Sequence, residues 1–280
     1  MVGIVCLVMW GLKPGIDFTG GSAMEVDFPK GRPALEEVRA VFESKDIKDA
    51  EIKPSGEHGV IVRFRTIDQP THEALLAELQ KKGEVNEKSF DSIGPVIGQE
   101  LRDKAWKAVL AAIVMILIYI SITFRKVSYP VVSWKYGASA ILALAHDLIT
   151  LLGVFAILGH FAGIEVNSSF IAAFLTVLGF SVHDTIVVFD RVRENLLKQS
   201  GDFAEIVNRS LNETIVRSVN TSVTVMLVLT SIYLFGGESV KYFALALLVG
   251  IGLGTYSSIF VASPLLVLWH EFDRSRVVKK

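Results

Sequence analysis

Three ionisable residues lie where charge is costly. Asp147, next to His146, is near the middle of an apolar run of about Tyr136–Leu158. Asp184, next to His183, lies a little past the middle of a run of about Ser169–Asp190. Arg217 occupies the first turns of a run of about Ile215–Phe235. Runs of this length can cross a bilayer. An Asp or Arg at the centre of such a helix costs about 2.5–3.5 kcal/mol on the insertion scale. Residues retained at that cost move ions or protons, or pair with one another. Asp184 and Arg217 have similar depth on successive runs, so a pairing between them is geometrically open. Arg217, Asn220, Thr221 and Thr224 follow i, i+3, i+4, i+7 and form one polar stripe. In lipid such a stripe must face protein or a water-filled cavity. It serves either as interhelical hydrogen-bonding glue or as part of an ion path. His146 and His183 could extend a proton relay, because imidazole titrates near neutral pH, or could simply pack. The chemistry these types support is binding and release of protons by carboxyl groups.

Other chemistries find no residues. There is one cysteine, Cys6, so no intrachain disulfide or cysteine-based metal cluster is expected. The sequence contains no P-loop, HExxH or GxSxG pattern. Gly250, Gly252 and Gly254 include a GxxxG pair, which reads as close helix packing rather than a nucleotide site, since no strand precedes it. His58 and His72 are isolated and expected on the surface. Asp190, Arg191, Arg193 and Glu194 read as interfacial charges at the end of a span, with a gating ion pair as the alternative. The net charge of −1 offers no basic excess for nucleic acid. The expectation is a non-enzymatic protein without metal or cofactor.

The elements that must position these residues are membrane helices. Apolar residues make up 51% of the chain and the mean hydropathy is +0.47, high for a soluble protein of this length. Five complete runs qualify as spans: about Trp106–Phe124, Tyr136–Leu158, Ser169–Asp190, Ile215–Phe235 and Tyr242–Leu268. Met1–Leu12 is apolar with no basic region before it, so it reads as the tail of a first span rather than a signal peptide. That makes six. Arg125, Lys126 and Lys135 flank one loop, Arg191, Arg193, Lys198 and Arg209 another, and Arg274, Arg276, Lys279 and Lys280 the tail. The opposite loops, His160–Ser168 and Gly236–Lys241, carry only Lys241 as a basic residue. The positive-inside rule places the basic loops and the C-terminus in the cytoplasm.

The expected organisation is a partial first helix (1–12), an extracytoplasmic domain (13–105), a bundle of helices 2–6 (106–270) and a cytoplasmic tail (271–280). In the outer segment Met24, Val26 and Phe28 alternate with Glu25 and Asp27, a strand pattern. Pro33 opens a helix, Asp49–Lys53 is a weak strand, and Val60, Val62 and Phe64 mark a stronger one. Pro70 opens a second helix and Glu84–Ile93 is a poorly alternating last strand. The order βαββαβ is that of a small α+β ferredoxin-like domain.

The run Gly15-Ile16-Asp17-Phe18-Thr19-Gly20-Gly21, the run Ala145-His146-Asp147, the long run Gly179–Asn195 containing Ser181-Val182-His183-Asp184-Thr185, and Leu234-Phe235-Gly236-Gly237 together resemble the SecD/SecF family of Sec translocase accessory subunits, on its SecF side. The resemblance covers nearly the whole chain. Members often have Asn where this chain has His183, and the resemblance departs only at the N-terminus, where half of a first span is expected to be missing. It implies a partner, SecD, as a separate chain or a fusion, in a twelve-span unit of the resistance-nodulation-division type. It also implies association with the SecYEG channel, exported unfolded polypeptides as substrate, and location in the bacterial cytoplasmic (inner) membrane. The proton-motive force would drive late steps of export. By the same resemblance Asp184 and Arg217 take part in proton passage, with a further Asp contributed by SecD. A small-molecule or lipid exporter half of the same superfamily and a passive scaffold are the competing readings. The small outer domain speaks against the first. A neutral substitution at Asp184 separates the second.

Overall fold

The computed structural model describes residues 2–124, 131–198 and 201–278. Arg125, Lys126, Lys279 and Lys280, named above for orientation, fall outside them. The chain divides into two compact units, 14–105 and the combination of 1–13 with 106–280.

In the first unit a short helix α2 (Ile16–Thr19) leads into β1 (Gly21–Asp27), followed by α3 (Leu35–Ser44), β2 (Glu51–Ser55), β3 (Gly59–Phe64), α4 (Gln69–Gln80) and β4 (Asn86–Ile93). The sheet order is β2-β3-β1-β4 and every neighbouring pair is antiparallel. This is the ferredoxin-like arrangement expected from the element order. Alternation in β1 buries Met24 and Val26, which sit opposite Val62 and Val60 of β3. Val38, Val41 and Phe42 of α3 and Leu75 and Leu79 of α4 close the core over them.

The two strands that read weakly are the sheet's edges. β2 carries Pro54, which an edge strand tolerates because one side of its backbone needs no ladder partner. β4 pairs with β1 across a register shift at Glu25/Val26, and the shift breaks its period of two. Asp68 caps α4 by accepting the Thr71 N–H at 3.2 Å, which holds its carboxyl below the usual Asp range. Its stabilising contribution is therefore present above the ordinary Asp pKa and is lost as pH falls through the lowered value.

His72 is not a surface residue. It is buried, its ring stacks on Phe90 at 3.8 Å, and its Nε2 lies 2.7 Å from Glu87 Oε1. The imidazole serves as an aromatic wedge between α4 and β4. His58 is half exposed beside Glu57.

The second unit contains α1 (Val2–Trp10), α5 (Pro95–Thr123) from Trp106 onward, α6 (Ser133–Ala162), α7 (Ser168–Lys198), α8 (Phe203–Phe235), α9 (Glu238–Ser257), a π-helical turn (Ser258–Ala262) and α10 (Ser263–Val278). Five helical stretches are long and apolar enough to cross a membrane: α5, α6, α7, α8, and the continuous run through α9, the π turn and α10. The nine residues of α1 are too few to cross alone. It lies along α6, with Gly3 and Gly153 in direct backbone contact and Trp10 stacked on His160.

α6, α7 and the last stretch bury about half of their apolar windows in one another, while α5 and α8 bury far less. α9 packs against α6, α7 and α8. The close approach of α9 to α7 depends on the glycines of the GxxxG pair. A Cβ at Gly250 would fall 2.2 Å from Val177 Cγ2, and one at Gly254 would fall 3.0 Å from Ser181 Cα. At 33 residues α8 is about 50 Å long, more than a bilayer core needs. Its first turns pair with the last turns of α7 in a charged cluster. Arg191 bonds to Glu213 and Glu194, Asn195 donates to Glu213 and Ser210, and Lys198 pairs with Glu194. Asp190 and Arg193 lie 3.7 Å apart.

Candidate functional site

Two carboxylates form the polar centre of the bundle. Asp147 of α6 is fully buried. Its Oδ2 accepts hydrogen bonds from Ser181 of α7 and Ser257 at the end of α9, both at 2.6 Å, and its Oδ1 lies 3.0 Å from His146 Nδ1. Asp184 of α7 is also buried. Its Oδ1 accepts from Ser218 of α8 at 2.6 Å and its Oδ2 from Ser258 of the π turn at 2.8 Å. Neither carboxylate bonds to a Lys or Arg among the described residues. Hydroxyl groups alone can hold a carboxylate in a low-dielectric interior, and they can equally accept from its protonated form. The arrangement therefore suits groups that gain and lose a proton.

Each partner is delivered by a local device. Ser181 can approach α9 because Gly254 has no side chain. Ser218 belongs to a row of small hydroxyl residues, Ser210, Thr214, Ser218 and Ser222, spaced by four and buried along α8. Within this row Ser222 meets Thr255 of α9 at 2.5 Å. Ser257 and Ser258 are consecutive, yet they reach different acids on different helices. α9 ends there and the wider π turn begins. Such turns cluster at functional sites.

The structure separates residues that the sequence allowed to meet. Arg217 makes no ion pair with Asp184, and its side chain is exposed on the outer surface of α8. The reason is helical phase. Asp184 is met by Ser218, and one residue's step turns Arg217 about 100° away. Asn220, Thr221 and Thr224 share that outward face and are exposed as well, with Thr221 and Thr224 returning their hydroxyls to carbonyls one turn back. His183 is also exposed and lies off the Asp184 cluster. His146 is brought to Asp147.

Asp17, Phe18, Thr19, Gly20 and Gly21 belong to the other unit, where they make a sharp entrance to β1. Thr19 Oγ1 donates to the Gly15 or Gly20 carbonyl, at 3.1 and 3.0 Å. Gly20 and Gly21 have φ of 75° and 123°, and a Cβ at Gly20 would fall 2.8 Å from Pro95 Cα.

The serines were missed in the sequence because a lone Ser barely alters hydropathy. The four-residue spacing of the α8 row was the available signal.

Known proteins share this architecture. Residues 71–272 match the family described as protein export membrane protein SecD/SecF, C-terminal. A protein translocase subunit SecF from Thermobaculum terrenum is 44% identical, across 99% of this chain and 91% of its own length. That from Anaerolinea thermophila is 40% identical, across 96% and 88%. Among solved structures, SecDF from Thermus thermophilus, described as a translocon-associated membrane protein, superposes with a TM-score of 0.83 at 35% identity. The match covers 96% of this chain but only 36% of that one. On this near full-length similarity, the chain belongs to the SecD/SecF family of protein export membrane proteins, on its SecF side, and its work is protein translocation across a membrane.

Proposed function

We propose that this multi-pass membrane protein pairs with a SecD subunit, separate or fused. Together they would use the proton-motive force to draw unfolded polypeptides across the bacterial inner membrane from the SecYEG channel. The chain acts as a carrier subunit, not an enzyme. Asp184 takes up and releases the proton, and Asp147, with His146 beside it, is a second protonatable group on the same route. The observation that carries this reading is the pair of buried carboxylates held by hydroxyls with no guanidinium or ammonium bonded to them. A permanently ionised structural pair would keep its cation, since removal of one partner from a buried pair is strongly destabilising.

Arg217 then has a different task from the one its sequence position first suggested. It faces outward with Asn220, Thr221 and Thr224, so its counter-charge comes from the partner subunit. In proton-gradient-driven export from inverted vesicles, Arg217→Ala is expected to lose most of the gradient response. Arg217→Lys keeps the charge but loses the planar fork, and should lose less. Equal activity of both variants and the unmodified protein would remove Arg217 from the mechanism.

The orientation follows from the basic loops. A cysteine at Ser239, in a Cys6→Ser background, should react with an impermeant thiol reagent from outside, and one at Ser200 should not. The reverse pattern would invert the assignment, including the placement of residues 13–105 outside and the C-terminus in the cytoplasm.

A further inference from the structure

The geometry points to Ser257 and Ser258 as the residues that link the two acids, so that the protonation of Asp147 is felt at Asp184 and the reverse. This rests on the proton-carrying reading above and assigns it two further positioning residues.

Each of the two hydroxyls has two possible acceptors but one proton to give. Ser257 Oγ lies 2.6 Å from Asp147 Oδ2 and 3.2 Å from the Gly254 carbonyl. Ser258 Oγ lies 2.8 Å from Asp184 Oδ2 and 3.0 Å from the Thr255 carbonyl. While the acid is ionised, the serine O–H points at the carboxylate. When a proton arrives from water, the carboxyl O–H donates to the serine oxygen, and the serine proton turns to its own helix's carbonyl. Both protonation states are thus fully hydrogen-bonded, as a buried group requires.

The turned hydroxyls land on Gly254 and Thr255, adjacent carbonyls at the end of α9. The Gly254 carbonyl also accepts the Ser258 backbone N–H, the bond that closes the helix before the π turn. The Ser258 carbonyl accepts from Ser263 Oγ at 2.9 Å. A change of state at either acid therefore alters the hydrogen bonding of one short backbone segment that also holds the serine of the other acid. Ser181 and Ser218 differ. They donate to their acids from α7 and α8. Of the remaining ionisable side chains at this depth, His146 bonds to Asp147, while His183, Arg217 and Tyr256 are exposed and bond to neither acid.

The test is labelling with dicyclohexylcarbodiimide, which reacts with protonated carboxyl groups. It is applied to native membranes carrying the full chain, at fixed pH, with modification at Asp147 and Asp184 read separately by peptide mass spectrometry. Removing a hydroxyl that stabilises the ionised form favours the protonated one. Ser258→Ala is expected to raise labelling at Asp184 by about threefold or more and also to change it at Asp147. Ser257→Ala should do the converse. Ser218→Ala shifts Asp184 with the link left in place, so its effect should reach Asp147 as well, whereas in a Ser258→Ala background it should affect Asp184 alone; Ser258→Thr, which keeps a hydroxyl, should resemble the unmodified protein. If the Ser257 and Ser258 variants change only the acid they touch, or neither, the link is refuted while the proton-carrying reading stands. If neither acid is labelled at any pH in the unmodified protein, that reading fails and the link fails with it. Ser258→Cys provides a second, volume-conserving variant should an alanine variant not accumulate in the membrane.

Discussion

Asp184→Asn is expected to abolish the part of protein export that depends on a proton gradient while leaving gradient-independent movement intact. The substitution is suited to the question because the structure can absorb it. The amide oxygen can still accept from Ser218, and the amide nitrogen can donate to Ser258 Oγ, whose proton then goes to the Thr255 carbonyl 3.0 Å away. The helices keep their positions and the only property removed is the ability to bind and release a proton. Inverted vesicles containing the variant should translocate a preprotein at the same rate with and without an imposed gradient. If they respond to the gradient as unmodified vesicles do, Asp184 is a structural polar group and the passive-scaffold reading takes its place.

The second large effect is expected at Gly250, from sterics alone. A Cβ there would meet Val177 Cγ2 at 2.2 Å, Cγ1 at 2.7 Å and Cβ at 3.0 Å. Val177 is fully buried, so it has nowhere to go. Overpacking of this kind costs about 1–3 kcal/mol, and more when the backbone must shift. Gly250→Ala should lower the thermal midpoint of the detergent-solubilised protein by several degrees, and Gly250→Val should prevent its accumulation. Val177→Ala removes both closest methyl groups and should restore much of the loss in Gly250→Ala. Gly252→Ala is the control, since the atom nearest its Cβ is Met226 Sδ at 4.0 Å. Equal effects at positions 250 and 252 would show that helix propensity rather than contact is being measured.

Hydrophobic periodicity exposes whatever depends on the average polarity of a segment. The five long spans, the buried face of β1 and the two acids could be read because each departs from its surroundings by several residues or by a full charge. What could not be read depends on phase. Arg217 and Ser218 are adjacent, and only the packing of α8 against α7 decides which of them meets Asp184. The π turn inserts an offset at Ser258 that a fixed period of 3.6 does not anticipate. β4 loses its alternation at a register shift with β1. His72 looked isolated because its stacking partner, Phe90, lies on a strand at the far end of the domain sequence. The hydroxyl partners of both carboxylates were the main omission. A serine costs little in a membrane helix, so its presence signals little until the acid beside it is known.

The outward stripe on α8 also bears on how the protein must be made. Arg217 and Asn220 are exposed with no side-chain partner among the described residues, while Thr221 and Thr224 bond to carbonyls of their own helix. A copy released into the bilayer with the stripe uncovered holds a guanidinium against hydrocarbon, at about 2.5–3.5 kcal/mol if it stays at depth. Such a copy is marked by its own surface as surplus. If the proposed partner covers this stripe, a cell that makes this subunit in excess of that partner should turn over the excess first.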